Sequence, residues 1–350
     1  MIFNVVYTPG TTHLAFLATS LLRWSDVSLR LVANHCADEE RRYLREVCRR
    51  DPRLEFYALP DAGRLVHHET ALNHLQTLET GGKFCFLDSD IFAAGAFLQH
   101  FRPLLNDYAG VFAVAPVWLR PDEQTLPDSG AIMAGEYHRA ADGRCLGGTF
   151  FAIYDNQLLT DFRRARGFLF ERGYWRQLPE SLRKHLNRLR LRKEFYDTGK
   201  LLNIFLAEAG ERLIFSDTDA LCHLGGVSYV RLKRMRAAEE QARKITSLWR
   251  KPWQAAPLLY RRTRRELQMR LRPGVFDKAG KLPFSVRRDL YSFYFADVLA
   301  ALHEGAEMPP PPKRGSTHLE ARVKLATRQL AEARRAYEAQ TKAGFITSQP

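Results

Sequence analysis

The sequence predicts an α/β protein: a largely parallel sheet with helices on both faces. Two patterns carry that expectation. Short apolar runs alternate with stretches whose apolar residues recur at helical spacing, the signature of strand–helix–strand units. The fourth run, Phe84-Cys85-Phe86-Leu87, then ends in Asp88-Ser89-Asp90, two carboxylates one residue apart. In sheets of this class ligands gather at the carboxyl ends of the strands, which is where that pair falls.

The elements follow in order. Ile2 to Tyr7 is a strand with almost no polar interruption, closed by the turn Thr8-Pro9-Gly10. Residues 11 to 23 carry Leu14, Leu17, Leu21 and Leu22 at helical spacing. Leu29 to Ala33 is the second strand, and a charged helix runs from Asp38 to about Arg50. Leu54 to Leu59 is the third strand, stopped by Pro60. A helix from about Val66 to Leu78 leads through Gly81-Gly82 to the strand that bears Asp88 and Asp90. Farther on, Phe150 to Ile153 reads as a strand, and Leu201, Leu202, Phe205 and Leu206 mark a helix that begins just after Asp197.

At the carboxyl end of the fourth strand the two carboxylates point the same way, because side chains in a strand repeat every two residues. Side-by-side carboxylates repel unless a cation lies between them. Hard oxygen donors of this kind suit Mg²⁺ or Mn²⁺, which bridges to substrate phosphates. A lone Asp-x-Asp is more often a solvated acidic turn, so its surroundings decide.

Four stretches supply those surroundings: ALNHLQTLETGGKFCFLDSDIF (Ala71 to Phe92), CLGGTFFAIYDN (Cys145 to Asn156), EFYDTGKLLNIFLAEAG (Glu194 to Gly210) and CHLGGVSYV (Cys222 to Val230). In this order they resemble the landmarks of GT-A-fold glycosyltransferases, closest to the family 2-like enzymes with nucleotide-sugar donors, over residues 1 to about 226. The resemblance implies a Rossmann-like mixed sheet and a divalent ion, Mn²⁺ or Mg²⁺, held by Asp88, Asp90 and His223. It implies donor contacts from Asn73 and Asp88, a Gly-rich acceptor-side loop at Gly147-Gly148, and Asp197 as catalytic acid or base. Two departures stand out: Ala71-Leu72 replaces the family's usual Arg before the helix Asn, and Tyr196-Asp197 replaces its paired acid.

Each candidate has a plainer use. Asp197 could be only an N-cap of the helix that follows, yet it stands where an acceptor hydroxyl must lose its proton, with Glu194 as the fallback base. An isolated His is more often a structural donor, but a neutral imidazole is a good ligand beside carboxylates, and Gly225-Gly226 after His223 allow close backbone approach to a phosphate. Gly147-Gly148 lets a donor or acceptor sugar reach the backbone, or is an ordinary turn. Asp217-Thr218-Asp219 is a second Asp-x-Asp and reads as a loop. The donor nucleoside is expected at Thr8 and Pro9, at Asn34 to Asp38, and at Asp61, after strands one, two and three. No Gly-x-x-x-x-Gly-Lys-Ser/Thr and no Gly-x-Gly-x-x-Gly follows strand one, which argues against a P-loop kinase and a dinucleotide-binding oxidoreductase.

The net charge of +14 is unevenly spread. Residues 1 to 150 hold 14 basic against 18 acidic residues, residues 162 to 193 hold 11 against 2, and residues 230 to 272 hold 14 against 3. Such blocks serve nucleic acid, an anionic membrane surface, or the diphosphates of donor and acceptor, or are merely solvated. No helix-turn-helix, zinc finger or RNA-recognition motif appears, so no nucleic-acid partner is expected. Trp249, Trp253, Leu258, Leu259 and Tyr260 among the charges favour a membrane-proximal or lipid-linked acceptor.

Five scattered cysteines suggest reduced thiols rather than a disulfide framework or a zinc site. No apolar run nears the roughly 20 residues of a membrane span, and the chain reads as cytoplasmic, with peripheral contact at the inner membrane face as an option. The expected organisation is a catalytic domain over residues 1–228, a basic helical extension over 229–308 and a proline linker with a C-terminal helix over 309–350. In that helix Leu319, Val323, Ala326, Leu330, Ala333 and Tyr337 form a heptad seam that pairs with a second copy or packs back on the body. The composite expectation is a metal-dependent, inverting transferase moving sugar from a nucleotide-sugar to a glycan or lipid-linked hydroxyl. The alternatives are a sugar-phosphate nucleotidyltransferase and a non-catalytic membrane-surface scaffold.

Overall fold

The computed structural model describes residues 1–60, 63–128, 130–228, 230, 284–312 and 317–342. It opens with β1 (Ile2–Tyr7), α1 (Ala15–Trp24), β2 (Ser28–Ala33), α2 (Asp38–Cys48), β3 (Leu54–Ala58), α3 (His68–Thr77) and β4 (Lys83–Leu87). Next come β5 (Ile91–Ala93), the short α4 (Leu98–Phe101) and α5 (Leu104–Asp107), β6 (Gly110–Phe112), β7 (Ile132–Met133), β8 (Phe151–Asp155) and α6 (Asn156–Arg166). Then follow β9 (Gly173–Tyr174), α7 (Glu180–Arg188), β10 (Phe195–Tyr196), α8 (Lys200–Glu208), β11 (Leu213–Phe215) and β12 (Leu221–His223). The chain continues to α9 (Phe284–Glu304) and α10 (Thr317–Lys342). Asp61, the Trp249–Tyr260 cluster and the basic helix expected at Arg261 to Arg272 lie outside the described residues.

Seven strands form the main sheet, in the order β11-β6-β8-β4-β1-β2-β3. All its pairings are parallel except those of β8, which runs against both β4 and β6. The sheet is therefore the mixed α/β sheet that was expected. Its central strands are apolar on both faces because both are covered: Phe3, Val5, Phe84 and Cys85 are fully buried. Right-handed crossovers put α1 and α2 on one face and α3 on the other, since β1-β2-β3 step one way along the sheet and β4 returns beyond β1. Asn4, the polar residue inside β1, is also buried; its Nδ2 donates to the Cys85 carbonyl at 2.9 Å and its Oδ1 accepts from Arg30.

Local chemistry sets the helix ends. The first turn of α2 holds Asp38, Glu39 and Glu40, favourable at a positive helix terminus, and Glu40 accepts the Ala37 N–H at 2.9 Å. Asp155 caps α6 by accepting the Leu158 N–H at 3.0 Å, and Gly167 ends it at φ 75°, a left-handed turn that favours glycine. Two smaller sheets accompany the main one: β7-β10-β9, and the antiparallel pair β12-β5.

The chain divides into two compact units, residues 1–223 with 329–350, and residues 224–328. The end of α10 belongs with the first unit. In that unit Tyr337 of α10 lies on Phe16, ring centroids 6.0 Å apart, and its hydroxyl accepts from Arg50 at 2.7 Å. In the second unit Tyr294 of α9 shares a 2.9 Å hydrogen bond with Thr327 of α10, and Leu319, Val323 and Ala326 are buried. Within each unit these seam residues pack against the chain's own side chains. Among the described residues no helix is long and apolar enough to cross a membrane.

Candidate functional site

The strand before Asp88 is shorter than the side-chain alternation required. The ladder between β4 and β8 ends at the Leu87–Phe151 pair. The Asp88 N–H then donates to the Phe150 carbonyl at 2.7 Å, and the Ile91 N–H to the Asp88 carbonyl at 3.2 Å, which makes residues 88–91 a turn. Asp88 and Asp90 converge through that turn and not through strand periodicity. After it β5 leaves the main sheet and pairs antiparallel with β12, Ile91 opposite His223. That pairing delivers the imidazole to the carboxylates.

Asp88, Asp90 and His223 each offer a ligand atom, all within 4.8 Å of one another. His223 Nε2 is 3.2 Å from Asp90 Oδ1 and 3.9 Å from Asp88 Oδ2. The His223 and Asp90 side chains are buried, whereas 32% of the Asp88 side chain is exposed and marks the open side of the cluster. Nδ1 of His223 lies 3.2 Å from the Val114 carbonyl. A carbonyl only accepts, so Nδ1 carries a hydrogen and Nε2 is turned to the carboxylates, as a donor when the ring is protonated and as a lone pair when it is neutral.

The electrostatics follow from crowding. Burial, then the charge of Asp90, push the Asp88 carboxyl up to about 8, with His223 pulling the other way. Burial alone would lower His223, but Asp90 and then Asp88 outweigh it and hold the imidazole above its ordinary value. Without another cation the protonated ring is the counter-charge. Two carboxylate oxygens and one lone pair aimed at a common point fit a hard or borderline divalent ion such as Mn²⁺ or Mg²⁺.

Asp197 sits just past β10, where its N–H donates to the Met133 carbonyl at 3.0 Å. It is not a side-chain cap: the N-cap of α8 is Gly199, at φ 71°. Its Oδ2 accepts the Gly135 N–H at 3.0 Å and its Oδ1 the Thr198 N–H at 2.9 Å, which fixes the carboxylate. Its charge adds, after burial and Asp90, to the upward push on Asp88. Glu194 is exposed.

The carboxyl ends of β1, β2 and β3 enclose a cavity of about 350 Å³ lined by Pro9, Asn34, His35, Glu40, Arg41 and Arg64, among others. Glu40 knits it together, accepting from the Gly10 and Ala37 N–H groups. The expected roles divide there. Pro9 lines the cavity, while Thr8 is engaged in its own turn, exchanging hydrogen bonds with Thr11. The Asn34 amide is taken by the backbone of Val66, donating at 2.7 Å and accepting at 3.0 Å. It shapes the cavity wall, and its side-chain groups are already partnered.

Three of the expected contact residues also have protein atoms close by. Asn73 Oδ1 accepts the Phe170 N–H at 3.0 Å and its Nδ2 donates to Glu171 at 2.9 Å, tying α3 to the loop after α6. Gly147 and Gly148 are buried. A Cβ on Gly147, at φ 64°, would lie 2.1 Å from Asn203 Nδ2, and one on Gly148 would lie 3.2 Å from His138 Nδ1. At Gly147 the left-handed backbone and the packed Asn203 both favour glycine, while at Gly148 a side chain would press on His138. Likewise a Cβ on Gly226 would lie 2.7 Å from Ser292 Oγ.

Sequence reasoning missed two supporting groups. Val114 is β-branched yet stands at φ 67°, with its N–H held by Asp217 Oδ1 at 3.1 Å. The second Asp-x-Asp thus props the backbone that orients His223. Lys200, fully buried in the first turn of α8, donates to the carbonyls of Gly135, Tyr137 and Gly147 at 3.3, 2.6 and 2.6 Å. Burial pushes its pKa down to about 8, against the charge of Asp197.

No family model matches the chain, and no curated protein matches it. Solved structures do. The mannosyltransferase PcManGT from Pyrobaculum calidifontis, in complex with GDP-Man and Mn²⁺, is similar over 99% of this chain and 76% of that one, at 12% identity and TM-score 0.38. S. aureus TarS 1–349 is similar over 99% and 93%, at 16% identity and TM-score 0.38. The galactosyltransferase LgtC in complex with donor and acceptor sugar analogs is similar over 62% and 73%, at 10% identity and TM-score 0.37. Likeness of this degree carries no argument about activity.

Proposed function

We propose that the chain is a divalent-metal-dependent glycosyltransferase of GT-A type, using a nucleotide-sugar donor and a hydroxyl acceptor. The observation that carries this reading is the convergence of Asp88, Asp90 and His223 on one point, at the carboxyl edge of a sheet with a nucleoside-sized cavity. Asp88, Asp90 and His223 would hold the ion, which when bound neutralises the departing diphosphate. The cavity at β1–β3 takes the nucleoside. Asp197 is oriented by two backbone N–H groups and acts as the base that removes the acceptor proton, with inversion at the sugar carbon. The acceptor is a glycan or lipid-linked glycan.

Turnover of a panel of UDP-, GDP- and dTDP-sugars with Mn²⁺ or Mg²⁺ tests the proposal, comparing wild type with Asp90→Ala. Release of nucleoside diphosphate that requires both the metal and Asp90 is the expected result. Silence across the panel, with no thermal shift from any nucleotide plus metal, would overturn it.

A further inference from the structure

The small sheet β7-β10-β9 carries a surface for which donor chemistry has no use. Phe195 pairs with both Ile132 and Tyr174, so these three side chains stand in one rung across the sheet. The adjacent rung, Met133, Tyr196 and Gly173, is buried. Side-chain alternation therefore turns the first rung outward, and Ile132 and Tyr174 keep 52% and 56% of their surface exposed. The Tyr174 and Phe195 rings are 4.9 Å apart. The backbone contact runs on from Phe195 to the Asp197 N–H, two residues along, which donates to the Met133 carbonyl.

Cations frame the rung. Arg172 and Arg176 are exposed on either side of β9 in the chain, and the exposed Arg192 lies over the Trp175 ring at 5.3 Å. Arg172 spends part of its charge on Glu69, at 3.0 Å, and Glu194 is the exposed carboxylate beside Phe195. The imbalance remains large, 11 basic residues to 2 acidic ones over residues 162 to 193.

We propose that this rung is the acceptor platform and that the acceptor is a soluble saccharide chain bearing phosphate groups. The proposal rests on the glycosyltransferase reading above and deepens it. Flat aromatic faces beside a branched aliphatic side chain match the C–H faces of sugar rings. Guanidinium forks match phosphate oxygens two at a time, which lysine does not. An anionic bilayer is met instead by a helix with a continuous apolar stripe lying in the interface; here the exposed apolar groups are two side chains, Ile132 and Tyr174, on two-residue strands with Phe195 half-buried between them.

Binding of the full chain to a labelled mannan oligosaccharide carrying phosphate monoesters tests this, with its dephosphorylated twin and phosphatidylglycerol vesicles as the comparison arms. The wild type is expected to prefer the phosphorylated chain by about tenfold at low salt, and to lose that preference as salt rises. Tyr174→Ala should weaken both saccharides, and Arg176→Gln with Arg192→Gln should erase the preference while leaving the residual binding. Absence of any preference, indifference to all three substitutions, or binding to the vesicles in place of the saccharides would overturn the proposal. The donor side is read separately, from the thermal shift given by nucleotide plus Mn²⁺. Loss of that shift with the phosphate preference intact would count against the transferase reading alone.

Discussion

His223 Nδ1 donates to the carbonyl of Val114 at 3.2 Å, across 109 positions of sequence, and Val114 holds a left-handed backbone, φ 67°, to receive it. Such a conformation costs about 1–3 kcal/mol and persists only where its neighbours enforce it. Asp217 is one of those neighbours. The chain thus maintains an unfavourable backbone so that one nitrogen of a buried ring faces two carboxylates.

Removing the prop should loosen that aim. Asp217→Ala is expected to keep the fold and to weaken Mn²⁺ binding by about tenfold or more, as the loss of groups that orient a ligand commonly does. Calorimetric titration with Mn²⁺ reads the change; an unaltered affinity would show that Val114 needs no help.

The cluster itself predicts a metal-linked stability. Mn²⁺ at about 100 times its dissociation constant should stabilise the wild type by about 2.7 kcal/mol, and a chelator should reverse the gain. Neither Asp90→Ala nor His223→Ala should respond. A melting temperature in those variants that still climbs with Mn²⁺ would place the ion elsewhere.

Asp197 is predicted to separate chemistry from binding. Asp197→Asn preserves an oxygen for the Gly135 or Thr198 N–H, so the fold and Mn²⁺ affinity should survive. Transfer should fall by about 10²–10⁴, the usual contribution of a positioned base. The exposed Glu194→Gln should transfer like the wild type, and the converse pattern in single-turnover rates would reassign the base.

Lys200 gives a pH signature. Its folded pKa, about 8, lies below the ordinary 10.5, so between those values the unfolded chain holds the proton and the folded chain does not. Stability attributable to this group is therefore lowest below pH 8 and rises towards pH 10.5, by up to about 1.4 kcal/mol per pH unit. The difference in urea stability between wild type and Lys200→Met should grow in favour of the wild type over that window. Parallel curves would mean that the three carbonyls hold the charged form without penalty.

How much of this was legible depends on the range over which each feature is decided. β1, β2 and β3 appear within about a residue of their expected ends because apolar runs and their polar stops are local. Asp88, Asp90 and His223 were legible as residue types with metal chemistry, but the reason they meet was not. It lies in a backbone bond from Asp88 to Phe150 and in the pairing of β5 with β12. Asn34 and Asn73 look like ligand-binding amides in sequence, and only the fold shows that loops claim them. Val114 sits in an ordinary apolar run, Val111 to Leu119, where nothing signals a positive φ. The heptad in α10 was read correctly as a buried seam; sequence alone does not say that the same chain covers it.

The route taken by β5 has a consequence for the order of assembly. The described lining of the cavity at β1, β2 and β3 falls within the first 66 residues, whereas His223, the third member of the cluster, arrives on β12. Contacts so distant in sequence bear a loop-closure cost that delays them. The cavity is thus a product of early, nearby pairings and the Asp88–Asp90–His223 cluster of a late one. An ion bound there would brake unfolding far more than it hastens folding.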